Sequence, residues 1–75
     1  MEVTFTSHAE DMLKEREFSK EFIQAAVLKS HWREEGKGNI WYALQKVGNK
    51  TLRVVVKGKE PPFTVITMYF DRRIK

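Results

Sequence analysis

Ile40-Trp41-Tyr42-Ala43-Leu44-Gln45-Lys46-Val47, a turn at Gly48-Asn49-Lys50, and Thr51-Leu52-Arg53-Val54-Val55-Val56-Lys57 decide the fold. The first run is apolar on both sides, which places a strand inside a sheet rather than at its margin. Gly-Asn-Lys is hairpin chemistry, because glycine and asparagine tolerate the positive backbone angles of tight turns. In the second run Leu52, Val54 and Val56 face one way, while Thr51, Arg53, Val55 and Lys57 face the other. A two-residue period over both runs, with β-branched residues dominating the second, predicts an antiparallel pair.

Downstream, Gly58–Pro62 reads as a loop whose Pro61-Pro62 ends the ladder. Phe63–Phe70 is a further strand, expected to send Ile66, Met68 and Phe70 to one face and Val65, Thr67 and Tyr69 to the other. Upstream, His31–Glu35 is an edge-strand candidate before the turn Gly36-Lys37-Gly38-Asn39. Met1–Thr6 alternates weakly and is read as a short strand or an extended lead-in.

Between these lie two helical patterns. Ser7-His8-Ala9-Glu10 has the spacing of a capping box, and Ala9, Met12, Leu13 and Arg16 mark one stripe of a helix running to about Glu17. Ser19 caps a second helix with Phe22, Ile23, Ala26 and Val27 on its apolar side, and Phe18 is spaced to staple onto Ile23. The fold class predicted is α+β: two N-terminal helices packed on one face of a three- to four-stranded antiparallel meander sheet, residues 1–75 forming one domain. Leu52, Val54, Val56 and Ile66, Met68, Phe70 are the expected floor under the helices. Arg53, Lys57, Thr67 and Tyr69 are then displayed together on the opposite face.

Composition narrows the function classes. With 41% hydrophobic residues the 75-residue chain carries enough apolar material for one core. The absence of cysteine removes disulfides and thiolate metal sites and points to the cytoplasm. No apolar run reaches the roughly 18 residues of a membrane span, and Met1–Phe5 lacks the basic start of a signal peptide. Residues 1–35 hold five Lys/Arg against eight acids, net −3, whereas residues 36–75 hold nine against two, net +7. A basic sheet half fits a polyanion partner; its plain alternative is that lysines keep sheet edges soluble.

RNA cleavage by 2′-hydroxyl attack needs a proton acceptor, a stabiliser of the charged phosphorane and a proton donor for the leaving oxygen. Arg53, Lys57 and Arg72 suit the phosphate. Tyr69 suits base stacking or proton transfer. Histidine is the usual proton carrier near neutrality, and His8 stands in the first turn of helix one, where backbone amides also welcome an anion. Arg16 lies two turns further on. Each has a structural alternative: a solvated strand face for Arg53 and Lys57, a rim position for Tyr69, a surface histidine for His8, and an ion pair or a snorkelling stem for Arg16. His31 is expected to be structural or exposed, and Trp32 and Trp41 to be core or rim aromatics. Two histidines without carboxylate spacing give no metal site, and no nucleotide-cofactor or serine-nucleophile motif is present.

Phe5-Thr6-Ser7-His8-Ala9, Met12-Leu13-Lys14-Glu15-Arg16 and Val65-Ile66-Thr67-Met68-Tyr69 resemble the motifs of a short, uncharacterised prokaryotic domain family. That family is similar to the RelE and BrnT toxin ribonucleases of the barnase-like group. The resemblance spans nearly the whole chain and implies a RelE/BrnT-like domain with helices on one sheet face and an RNA-cleaving site on the other. It implies a metal-independent endoribonuclease, needing no cofactor, acting on RNA such as ribosome-bound messenger and held by an antitoxin protein. His8, Arg16, Thr67 and Tyr69 are the motif residues it carries over, with Arg53 and Lys57 gripping phosphate by analogy. The family commonly has glycine after the helix-one arginine, where this chain has Glu17. The alternative expectation is a non-catalytic module binding nucleic acid or protein through the same face, or a homodimer using Trp32 or Trp41.

Overall fold

A computed structural model describes residues 3–30 and 32–71. The elements in order are β1 (Val3–Phe5), α1 (Ser7–Arg16), α2 (Lys20–Leu28), β2 (Trp32–Glu35), β3 (Ile40–Val47), β4 (Lys50–Lys57) and β5 (Phe63–Asp71). All five strands join one sheet in the order β1-β5-β4-β3-β2. The last four form the expected antiparallel meander. The lead-in is a true strand, and it runs parallel to β5, with Val3 beside Phe63 and Phe5 beside Val65. The sheet is therefore five-stranded and mixed, not a three- or four-stranded antiparallel one. A three-residue strand is too short to announce itself by period. It gains its place from a partner sixty residues away.

Thr6 makes the exit from that strand. Its amide donates to the Val65 carbonyl (3.1 Å), and its hydroxyl donates to the Ile66 carbonyl (3.1 Å). The same hydroxyl accepts from the Ala9 amide (3.1 Å), so Thr6, rather than Ser7, is the N-cap of α1. The capping-box reading is off by one residue because the cap was settled by the neighbouring strand. Ser19 caps α2 as expected, accepting from the Phe22 amide.

The end of α1 is a Schellman turn. Phe18 donates to the Leu13 carbonyl (3.0 Å) and Glu17 to that of Lys14 (3.4 Å). Closing this turn forces Glu17 to φ 59°, left-handed backbone that normally selects glycine. The helix thus ends at Arg16, and Glu17 occupies a backbone conformation that glycine enters freely.

Ala9 and Leu13 of α1 and Ile23, Ala26 and Val27 of α2 are buried in a core with Val3, Trp41, Ala43, Leu52, Val54, Val56, Phe63, Val65 and Met68. α1 lies against β5 and β1, α2 against β3 and β4. Both helices cover one sheet face, as the apolar stripes predict. The face assignment within β5 needs one correction. Val55 pairs with Thr67 but Val56 pairs with Val65, so Ile66 is the extra residue of a β-bulge. Beyond the bulge the alternation reverses: Val65 is wholly buried under the helices, whereas Ile66 is only half-buried. Among the described residues no helix is long and apolar enough to cross a membrane.

Candidate nucleic-acid interface

The sheet face away from the helices is laid out by strand register. One row across it holds Trp32, Leu44, Arg53 and Tyr69; the next holds Glu34, Tyr42, Val55 and Thr67; a third holds Lys46, Thr51 and Asp71. Lys57 lies beyond, between Ile40 and Thr64. Of the expected group, Arg53 and Tyr69 are direct cross-strand neighbours, with Thr67 two residues along β5 and exposed Lys57 four along β4. At about 3.3 Å per strand residue, Lys57 stands some 13 Å from Arg53.

Arg53 is the centre of this face, and it is not an exposed cation. Only 8% of the residue is accessible. Its Nε and Nη2 donate to Asp71 Oδ2 at 2.9 and 2.8 Å. Nη2 also lies 3.6 Å from Glu34 Oε2, and the guanidinium carbon sits 4.8 Å from the Tyr42 ring centre. One arginine therefore ties β4 to β5, to β3 and to the edge strand β2. Two carboxylates gather around one guanidinium, so the charge of Arg53 is already engaged within the face. The lysines that give the sheet half its charge are dispersed: Lys46 and Lys57 at the margins of this face, Lys50 over the Phe70 ring, Lys59 beside Glu35. Arg72, Arg73 and Lys75 lie outside the described residues, as does His31.

Asp71, Glu34 and Tyr42 were not foreseen as Arg53's partners. Asp71 was recoverable, since extending β5 by one residue continues the alternation Thr67, Tyr69, Asp71 onto the face of Arg53. Glu34 was not, because it reaches Arg53 from two strands away. Leu44 and Thr51, on the same face, are also completely buried, although no helix lies above them. Among the described residues the Thr51 hydroxyl has no hydrogen-bond partner.

His8 and Arg16 belong to the helix layer. His8 is exposed in the first turn of α1, two residues past the Thr6 link to β5, and Arg16 is exposed in the last turn. The structure does not gather them with Arg53 and Tyr69. Trp41 is a core residue, its indole nitrogen donating to the Gly58 carbonyl (2.6 Å), and Trp32 is a rim aromatic, 36% accessible. No group of His, Asp and Glu suited to a metal occurs among the described residues.

What the face offers chemically is a pre-ordered, largely buried guanidinium beside the Tyr42 ring, with Tyr69 as its cross-strand neighbour. No curated protein and no solved structure matches the chain. A family described as Domain of unknown function (DUF4258) matches residues 5–70, nearly its whole length, and the chain belongs to that family.

Proposed function

We propose that the uncovered face binds single-stranded RNA and that the domain is a metal-independent endoribonuclease of the RelE/BrnT toxin type. The observation that carries this reading is the cross-strand placement of Arg53 beside Tyr69 on the sheet face that no helix covers, with the Tyr42 ring 4.8 Å from the guanidinium carbon. Aromatic rings supply sequence-tolerant stacking for unpaired bases, and an arginine held by carboxylates presents its remaining N–H groups in a fixed direction. In the cleavage step the 2′ oxygen bonds to phosphorus as the bond to the 5′ oxygen breaks. Arg53 would neutralise the phosphorane, Tyr69 would pass the proton, and Thr67 and Lys57 would hold the strand on either side. His8 would meet RNA only where it leaves the face toward the start of α1, and Arg16 only where it passes the opposite end of that helix; Arg72 would add a further phosphate contact. Messenger on the ribosome and an antitoxin that covers this face are the partners this reading implies.

A second reading has its own support. Arg53 is already satisfied by Asp71 and Glu34, and an anion must compete with both. That favours a module that binds without cutting. The experiment is incubation with mixed-sequence RNA in chelator, comparing the wild type with Tyr69→Phe and Arg53→Lys. Cleavage by the wild type that falls at least about a hundredfold in Tyr69→Phe, with binding kept, establishes the enzyme. Salt-sensitive binding without cleavage leaves the module. Neither binding nor cleavage removes RNA from the account.

A further inference from the structure

We infer that β2 is a self-pairing edge through which two copies of this chain join their sheets about a two-fold axis at Glu34. β2 ends the strand order, and all four of its residues are exposed. Its outward hydrogen-bonding groups follow from the hairpin to β3. The Gly36 amide donates to the Ile40 carbonyl (2.9 Å), which makes that pair a hydrogen-bonded one. Antiparallel pairs alternate, so Glu34 and Trp32 turn their backbone groups inward to Tyr42 and Leu44. Arg33 and Glu35 therefore turn theirs outward.

A second β2 lying antiparallel with the same face up can use those groups in three registers. Two of them set Arg33 against Arg33 or Glu35 against Glu35. The third, with its axis at Glu34, sets Arg33 of each copy opposite Glu35 of the other. It forms four backbone hydrogen bonds and two opposite-charge pairs at once, and opposite charges directly across strands are favourable where like charges are not. The cost of this register is Glu34 meeting Glu34, a repulsion that the Arg53 guanidinium, 3.6 Å from each but shared with Asp71, offsets in part. Trp32, half-exposed at the rim, comes opposite Gly36 of the second copy, which has no side chain to obstruct the indole. Gly36 is held as glycine locally, since a Cβ there would lie 2.9 Å from the Ile40 carbonyl oxygen.

Charged residues on an edge strand ordinarily deter pairing. Here the pattern Arg-Glu-Glu deters an arbitrary strand but matches its own inverted copy. The occupant is therefore a second copy of this chain rather than an unrelated extended peptide. The inference stands on backbone register and charge, independently of whether RNA binds. Should both hold, the two Arg53 sites would share one continuous face.

The test is solution mass by sedimentation equilibrium over a concentration series reaching the millimolar range. It compares the wild type, Arg33→Glu, Glu35→Arg and the double charge swap, with circular dichroism confirming each fold. The expected result is a concentration-dependent dimer of the 8.9 kDa chain. Each single reversal should weaken it at least about tenfold, and the swap should restore it. Glu35→Arg leaves the Arg33 stack on Trp41 untouched, so it separates charge matching from loss of that contact. A wild type that is monomeric throughout, a dimer indifferent to both reversals, or a swap that fails to restore association would each overturn the inference.

Discussion

Arg53 and Asp71 share two hydrogen bonds through a single carboxylate oxygen, at 2.8 and 2.9 Å, on the sheet face that no helix covers. Both residues are buried, the aspartate to within 5% of full enclosure. Removing one member of such a pair strands the other, while removing both spares the desolvation of two charges. Asp71→Ala should cost about 3 kcal/mol in urea unfolding, and Arg53→Met combined with Asp71→Leu should recover most of it. Additive losses in the double variant would show that the pair is not the coupled unit described here.

Glu17 holds a left-handed backbone in a turn that glycine enters without steric penalty. Glu17→Gly is expected to stabilise the domain by about 0.5–1 kcal/mol, a rise of some 3–6 °C in melting temperature for a chain this short. An unchanged or lower melting temperature would mean that the turn relaxes or that Glu17 contributes a compensating contact.

The bulge at Ile66 makes neighbouring residues unequal in a way a regular strand would reverse. Val65→Thr places a hydroxyl in the core and should cost about 1–3 kcal/mol. Ile66→Thr, at a half-buried position, should cost clearly less. Equal costs, or the opposite order, would contradict the register of β5 on β4.

Thr51 presents the reverse case, a wholly buried hydroxyl with no partner among the described residues. Thr51→Val keeps the shape, suits a strand and removes the orphan group, so stability should rise by up to about 1 kcal/mol. A loss of that size would reveal a hydrogen bond to solvent at this site.

Much of this was legible in the residues. The hairpin of Ile40–Val47 with the strand after it, the helix stripes of Leu13, Ile23 and Val27, and the Ser19 cap depend on spacing and local geometry. Those interactions lie within a few positions along the chain, and the residues that make them can be read in order. So could the membership of one face by Arg53, Thr67 and Tyr69, which needs only the two-residue period and the direction of the next strand. The parallel β1 and the Thr6 cap depend on residues sixty positions apart, and the bulge at Ile66 on how β5 settles against β4; no local pattern encodes such pairings. The state of Arg53 belongs to the same class. Its charge was evident from the sequence, but its burial between Asp71 and Glu34 is a property of four strands brought side by side. Periodicity assigns a side chain to a face; only the assembled sheet decides which charges meet there, because Coulomb and desolvation energies depend on distance and burial, and neither is written along the chain.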